Sequence, residues 1–166
     1  MDEFPAIQQL GDDALLVTFA HAISWDVGAR VRSVAQRIRD MHLLSVTDVV
    51  PAYTTLAVYF DSRVVSFANI SSLVADLAEV TETETDASST LIEIPVRYDG
   101  PDLADVAERT GLKHDEVIEK HCSRIYRAYM TGFAPGFTYL GDLDEALVLP
   151  RRTEPRVRVP AGSVAI

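Results

Sequence analysis

The stretch Tyr126–Leu140, YRAYMTGFAPGFTYL, decides how the second half of the chain is interpreted. An apolar, aromatic run leads into it, and Gly132, Pro135 and Gly136 then interrupt the backbone within five positions. Glycine permits backbone angles that other residues avoid, whereas proline fixes its own φ angle and lacks an N–H donor. Because aromatic residues alternate with these interruptions, the stretch predicts a rigid turn that presents an aromatic surface.

The composition of the whole chain limits the classes of protein to which that turn can belong. The 166 residues are enough for one domain or two small ones, and they carry a net charge of −10. The single cysteine, Cys122, excludes a disulfide within the chain. Together with an acidic N-terminus that lacks an apolar leader, it favours a cytoplasmic location. No apolar run approaches the roughly 20 residues that span a bilayer. The acidic charge argues against a nucleic-acid partner, since phosphate contacts supply most of that affinity.

Residues 1–80 show the order strand, strand, helix, strand, strand, helix. The predicted strands are Ile7–Leu10, Ala14–Phe19, Leu44–Val50 and Thr54–Phe60. Apolar residues at steps of three and four predict two helices, which Ser24 and Asp61 are placed to cap. The arginines of the first helix are interpreted as its solvated face. This pattern predicts a small α+β domain with both helices on one face of the sheet.

The polar stretch at residues 81–90 is rich in threonine, serine and acidic residues, and it is interpreted as a linker. A second domain is predicted at residues 91–166. It would open with a strand at Leu91–Tyr98, in which Pro95 requires an edge or a bulge. Two helices follow, the first ended by Gly111 and the second running from His114 to His121, and then a strand at Arg124–Met130.

The two helices on either side of Gly111 also have the outline of a DNA-binding helix-turn-helix. A recognition helix needs cations that meet phosphates and bases. The second helix instead carries three acids, Asp115, Glu116 and Glu119, against two lysines. The pair is therefore interpreted as a structural helical hairpin.

Three groups in the second half could have a catalytic or binding role, and each could instead have a purely structural one. His121 could transfer a proton, or it could be a helix-end histidine that the helix dipole favours. The arginine-rich segment Arg151–Arg158 is predicted to be an extended or looped arm, and it could bind an anion or be solvated or paired within the chain. The aromatic turn could line a pocket or an interface, or it could be a buried corner of a barrel. Ser163 is interpreted as a turn residue or as a hydrogen-bond donor to a ligand, in preference to a catalytic nucleophile.

The usual signatures of nucleotide and metal sites are missing from the sequence. It contains no Walker-type loop and no dinucleotide fingerprint. His114 and His121 lie seven residues apart, which is not the spacing of a zinc helix, and there is one cysteine. No metal site is predicted.

Three motifs in order give the chain a recognisable resemblance: GFAPGFTYL at 132–140, PRRTEPR at 150–156 and VPAGSV at 159–164. With them the sequence resembles the allophanate hydrolase subunit 1 family, also known as the 5-oxoprolinase B-subunit family and as the KipI-type inhibitor of a sporulation histidine kinase. The resemblance covers nearly the whole chain. The stretch Tyr98–Asp102 looks shorter than the family's Gly-rich loop.

The resemblance implies an α+β N-terminal domain followed by a β-rich, cyclophilin-like barrel domain. The barrel is expected to be incomplete, because the sequence stops where the family continues with a further Gly-rich strand. The resemblance also implies a partner, an allophanate hydrolase subunit 2 or C-type 5-oxoprolinase protein, and a possible third subunit. ATP, with magnesium, is expected to bind to the complex and not to a recognisable motif of this chain.

The function that the resemblance implies is ATP-dependent opening of 5-oxo-L-proline to glutamate, together with the partner. Two alternatives are a non-catalytic inhibitor of a histidine kinase and one half of a urea carboxyltransferase-like unit. Matching positions in the family's motifs imply a set of catalytic residues: His121, Tyr139, Arg151 and Arg156. They also imply residues that bind substrate or lie at an interface: Tyr126, Phe133, Pro135, Gly136, Phe137, Pro160, Gly162 and Ser163.

Overall fold

The structure, a computed structural model, describes residues 4–79, 90–154 and 156–166. In chain order the strands are β1 Ala6–Gln9, β2 Ala14–Thr18, β3 Val46–Pro51, β4 Thr55–Phe60, β5 Arg127–Thr131 and β6 Thr138–Gly141. The helices are α1 Trp25–Asp40, α2 Phe67–Glu79, α3 Leu103–Thr110 and α4 His114–Cys122, with a 3₁₀ turn at Glu145–Leu147. Over these described ranges, no helix combines the length and apolar character that crossing a membrane requires.

The described chain forms two compact units. The first comprises residues 4–79 together with Tyr129–Tyr139, and the second comprises residues 90–128 and 140–166. The segment predicted as a linker lies outside the described residues except for Thr90. The aromatic turn therefore makes its contacts with the first unit, although it lies far from that unit along the sequence.

The first unit is built on an antiparallel four-stranded sheet in the order β1-β2-β4-β3. Alternation along β2 and β4 places Leu15 opposite Val58 and Val17 opposite Leu56, and all four side chains are fully buried. They pack with apolar residues of α1 and α2, among them Ile38. The four strands and two helices of the predicted α+β arrangement are thereby confirmed.

The two helices of the first unit begin in different ways. The hydroxyl of Ser24 accepts a hydrogen bond from the backbone N–H of Val27 at 3.2 Å, so the prediction that Ser24 caps α1 is confirmed. The prediction for Asp61 is wrong. Its carboxylate binds Arg63, and the hydroxyl of Ser66, directly before α2, accepts from the backbone N–H of Asn69 at 3.3 Å.

The arginines of α1 are not simply a solvated face, which corrects the interpretation from sequence. Arg30 donates to the backbone carbonyl of Ala78 at 2.6 Å, and Arg39 donates to that of Val49 at 2.6 Å. The guanidinium of Arg32 stacks on the indole of Trp25, 4.3 Å from its centroid. Their long stems let these side chains tie α1 to neighbouring elements while lying along its apolar edge.

The second unit is organised by the helical hairpin α3–α4. Ala107, Val117 and Leu147 are its buried residues, with Leu103 and Val106 packed against them. Gly111 ends α3 in the left-handed region at φ 71°, as the sequence predicts. This packing is that of a structural hairpin.

The described part of the second unit contains no closed barrel, so the incomplete cyclophilin-like barrel stays a prediction. Its strands are β5 and β6, which form a two-stranded sheet and extend into the first unit's range. The segment predicted as a strand at Leu91–Tyr98 has no regular secondary structure, and Leu91, Ile92 and Ile94 are 66–72% exposed. Its alternation fits a strand, but Pro95 lacks a donor and no neighbouring strand in the described ranges pairs with the segment.

We predict that Leu56→Ala lowers the free energy of unfolding by about 2–5 kcal/mol, because it leaves a cavity in the sheet–helix core. Leu56 is 0% exposed. The matched control is Leu44→Ala, at a leucine that is 98% exposed in the same unit, with an expected change within about 0.5 kcal/mol. Urea unfolding followed by the fluorescence of Trp25 measures both, and equal effects would refute the described core.

At the end of α3, we predict that Gly111→Ala weakens the helix terminus by about 1–2 kcal/mol, since an alanine is strained at positive φ. The backbone N–H of Leu112 bonds to the carbonyl of Ala107 there. Its amide should exchange about 5–30 times faster with solvent. Gly100→Ala is the control, because that glycine has no positive φ and open space around it. Unchanged protection of Leu112 in Gly111→Ala would contradict the described cap.

Candidate functional site

The aromatic turn consists of two successive reversals of the backbone. In the first, the N–H of Ala134 donates to the carbonyl of Gly132 at 2.7 Å, which closes a γ-turn around Phe133. Phe133 has a φ of 64°, in a region that costs a residue with a β-carbon about 1–3 kcal/mol. The turn predicted from the glycine and proline spacing is confirmed, with its strain concentrated at an aromatic residue.

The second reversal is the β-turn from Ala134 to Phe137. The N–H of Phe137 donates to the carbonyl of Ala134 at 3.0 Å. Pro135 supplies the fixed φ of the second position, and Gly136 takes the positive φ of 78° that the third position of a type II turn requires. These two residues therefore shape the backbone. Together with Phe133 they line a shallow, open depression.

A continuous series of aromatic rings runs through the first unit and ends at this turn. Adjacent ring centroids lie 5.0–5.9 Å apart along the series Trp25, Tyr129, Tyr53, Tyr139, Phe137 and Phe133. Exposure rises towards the tip, from 6% at Tyr129 to 46% at Phe137 and 91% at Phe133. We call Phe133 and Phe137 the aromatic tip.

The hydroxyls of Tyr53 and Tyr139 lie in the middle of that series. Burial raises the pKa of Tyr53, and the neighbouring Tyr139 raises it further. Tyr53 is therefore a neutral phenol at physiological pH. Tyr139 belongs to the packed part of the series, whereas the aromatic tip is open to solvent.

The second unit contains a separate cluster centred on His121, in the last turn of α4. The Nδ1 atom of His121 lies 2.6 Å from the hydroxyl of Tyr98, and the hydroxyl of Tyr126 donates to the backbone carbonyl of His121 at 2.9 Å. The ring centroids of Tyr98 and Tyr126 lie 5.6 and 5.3 Å from that of the imidazole. We call these three residues the His121 cluster.

Partial burial sets the protonation of this cluster. It lowers the pKa of His121, so the imidazole is neutral at pH 7. Burial raises the pKa of Tyr98, with a further contribution from Cys122, and burial is also the main cause of the raised pKa of Tyr126. The cluster is therefore a neutral hydrogen-bonded group, not an ion pair.

The other imidazole nitrogen, Nε2, is available for a ligand. It makes no hydrogen bond to the described residues, and it is not among their buried unsatisfied atoms. His121 thus has one nitrogen fixed by the protein and one open to solvent. Tyr98 was missed as a site residue, because its only signal in the sequence was its place at the end of a predicted strand.

The described residues of the arginine-rich segment form neither helix nor strand, which fits the predicted extended or looped arm, and two of its side chains pair within the second unit. Arg156 and Arg152 both bind the carboxylate of Asp102, just before α3, with Arg152 Nη1 3.2 Å from Asp102 Oδ1. Arg152 also lies 3.7 Å from Asp105. Arg151 is exposed and has no hydrogen bond or ion pair to the described residues.

The remaining predicted site residues form their own small turn. Both the backbone N–H and the hydroxyl of Ser163 donate to the carbonyl of Pro160, at 3.2 and 2.8 Å. Gly162, which lies between Pro160 and Ser163, has a φ of 78°. The interpretation of Ser163 as a turn residue fits this geometry. The structure thus groups the predicted site residues into the aromatic turn, the His121 cluster, the arginine segment and this turn.

Metal ligation finds no support in the ranges that the structure describes. No group of three or more His, Cys, Asp or Glu side chains there is arranged to hold a metal ion. The free thiol of Cys122 is exposed.

Comparison with protein families gives a match over almost the whole chain. Residues 5–166 match the model of the carboxyltransferase domain, subdomain C and D. The chain is 36% identical to the 5-oxoprolinase B subunit of Bacillus subtilis over an alignment of 174 positions, which covers 96% of this chain and 72% of that protein. It is 37% identical to the 5-oxoprolinase B subunit of Escherichia coli O157:H7 over 166 residues, which cover 95% of this chain and 72% of that protein.

Solved structures share the fold of this chain. The crystal structure of TTHA0988 superimposes with a TM-score of 0.80 at 36% identity over 92% of this chain, which spans 30% of that chain. The urea amidolyase of K. lactis superimposes with a TM-score of 0.56 at 10% identity, over 81% of this chain and 10% of that enzyme, which is a likeness of fold alone. The resemblance to the B subunit of 5-oxoprolinase is confirmed, and the chain belongs to the carboxyltransferase domain family, subdomain C and D.

Proposed function

We propose that this chain is the B-type subunit of a cytoplasmic 5-oxoprolinase, which opens 5-oxo-L-proline to glutamate with ATP hydrolysis and needs a C-type partner. The observation that carries the proposal is the 36–37% identity to two proteins named as the B subunit of 5-oxoprolinase, over 95–96% of the chain. A third subunit is also part of this proposal.

The chemistry of ring opening explains what the chain would contribute. ATP would transfer its γ-phosphoryl group to the amide oxygen and leave as ADP. Water would then attack the activated carbon, and the C–N bond would break as the ring nitrogen takes up a proton. A second water would hydrolyse the resulting acyl phosphate to glutamate and inorganic phosphate. Each step concentrates negative charge on oxygen, which neutral donors and guanidinium groups stabilise. His121 offers Nε2 for such a contact, and Arg151 offers a guanidinium with no partner in the described residues.

Other residues of the chain fit supporting roles in the same proposal. Arg156 already binds Asp102, so it would hold the extended segment in place or exchange partners when an anion binds. Tyr139 would form a wall of the site, since it lies within the aromatic series. ATP and its magnesium are proposed to bind to the complex, because the sequence has no Walker-type loop.

We predict that the chain, mixed with its C-type partner and the third subunit, supports ATP-dependent release of glutamate from 5-oxo-L-proline. His121→Asn should lower kcat by about 100-fold or more, since a positioned acid or donor contributes about 10²–10⁴. His114→Asn is the matched control, an exposed histidine at the start of the same helix.

The proposal fails if glutamate release by the other subunits is the same with and without this chain. The role proposed for His121 is wrong if His121→Asn and His114→Asn release glutamate with equal kcat.

A second prediction concerns the aromatic tip, which we propose as the contact with the C-type partner. Phe133→Ala should change the free energy of unfolding by no more than about 0.5 kcal/mol, because its ring is 91% exposed. It should weaken binding of the partner by about tenfold or more, as is common for a buried aromatic anchor in an interface. Leu44→Ala, at an equally exposed residue of the same unit, should leave the affinity unchanged.

Titration calorimetry with the purified C-type partner measures both affinities. Equal affinity of wild type and Phe133→Ala would refute the contact. The same exposed ring also favours the second candidate function, inhibition of a histidine kinase. That candidate is supported if the wild-type chain, and not Phe133→Ala, inhibits autophosphorylation of the kinase in the absence of any other subunit.

A further inference from the structure

Tyr98 is the residue of the His121 cluster that no sequence motif identified. It lies at the end of a segment without regular secondary structure, yet its hydroxyl reaches the imidazole 23 positions further along the chain. Its side chain is half-buried, in contrast to the exposed residues that precede it. The contact is specific, since 2.6 Å is at the short end for a hydrogen bond to a phenol oxygen.

The direction of this hydrogen bond decides the tautomer of His121. A neutral imidazole carries its proton on one nitrogen and accepts on the other. If Nδ1 carried the proton, the phenol would be the acceptor and its own O–H would have no acceptor among the described residues. If Tyr98 donates instead, its O–H and Nδ1 pair with each other, and the proton of the imidazole lies on Nε2, the nitrogen that is open to solvent.

The acid and base strengths of the two neutral groups favour the second arrangement. The raised pKa of Tyr98 keeps its hydroxyl protonated, and the lowered pKa of His121 keeps the imidazole neutral. A phenol is a much stronger acid than a neutral imidazole, and an imidazole nitrogen is a much stronger base than a phenol oxygen, so the proton of the hydrogen bond belongs to the phenol.

We propose that Tyr98 is a positioning residue that fixes His121 in the tautomer with its proton on Nε2, so that His121 presents a hydrogen-bond donor and not a base. The acceptor would be a carbonyl or phosphoryl oxygen of the substrate, and this last clause rests on the proposed function. An imidazole so fixed would stabilise negative charge that develops on that oxygen.

The other polar groups around the cluster do not compete for Nδ1. Tyr126 donates to the backbone carbonyl of His121 and not to the ring. Asp144 lies 3.8 Å from Lys120 and 3.7 Å from Arg124, so this acid is already engaged with two cations. Among the described residues, Tyr98 is the one whose hydrogen bond reaches the imidazole.

Nuclear magnetic resonance can test the tautomer without any turnover. The full chain, labelled with ¹⁵N in its histidines, gives long-range ¹H–¹⁵N correlations in which protonated and bare ring nitrogens differ in shift. At about pH 7.5, where the lowered pKa keeps the ring neutral, we expect His121 to show a bare Nδ1 and a protonated Nε2. A protonated Nδ1 in the wild-type chain would overturn the proposal at once.

Two phenylalanine variants complete the test. Tyr98→Phe keeps the ring and removes the donor, so His121 should move to a mixture of both tautomers. Tyr126→Phe is the matched control, because it removes a hydroxyl whose hydrogen bond goes to the backbone carbonyl of His121 and not to its ring, and it should leave the tautomer unchanged. The other three histidines serve as internal references for the shifts. An unchanged tautomer in Tyr98→Phe would also overturn the proposal.

Activity supplies a second, separable measurement. In the assembled complex, Tyr98→Phe should lower kcat by about tenfold or more with KM little changed, while Tyr126→Phe should have a smaller effect. An inactive wild-type complex with the expected tautomer would refute the proposed function and leave the role of Tyr98 standing. An active complex with the other tautomer would refute the role of Tyr98 alone.

Discussion

The close approach of Tyr129 to α1 at Gly28 is the contact on which the aromatic part of the structure depends. A β-carbon added at Gly28 would lie 3.2 Å from Nη1 of Arg32 and 3.6 Å from Cδ1 of Tyr129. The first distance is tight and the second is ordinary contact, so glycine leaves room for the guanidinium that packs on Trp25, while the Tyr129 ring packs edge-on against the same indole. With Tyr129 buried there, the turn that follows it in sequence is anchored at its base and exposed at its tip.

Local patterns predicted most of the first unit, because its elements are specified by residues close in sequence. The alternation along β2 and β4 and the periodicity of α1 state which side chains are buried. The cap of α2 was assigned to Asp61 because an acid before an apolar run suits that role, but Asp61 binds Arg63 and the helix starts later, after Ser66. The arginines of α1 were misjudged for a similar reason, since their carbonyl partners lie up to 48 positions away.

The second unit was harder to predict, because its features depend on contacts between distant positions. Leu91–Tyr98 alternates as a strand does, but a strand exists only where another strand supplies hydrogen bonds. The candidate site shows the same limit. The turn at Gly132–Phe137 follows from its own glycine and proline residues, whereas the role of Tyr98 emerges only when the fold brings it to His121. A motif scan can rank His121, but it cannot state which ring nitrogen the protein leaves free.

The His121 cluster and the aromatic tip differ in which of their groups have no partner within the chain. This difference bears on the kind of ligand that each could bind. The His121 cluster satisfies its polar groups internally except at one imidazole nitrogen, which suits recognition of a single small acceptor. The aromatic tip is the opposite case, since Phe133 combines a strained φ of 64° with 91% exposure. The backbone strain at Phe133 costs about 1–3 kcal/mol. Its ring packs mainly against Phe137, and this contact offsets little of that cost within the chain. Such a residue fits the contact with a C-type partner that we propose for the aromatic tip.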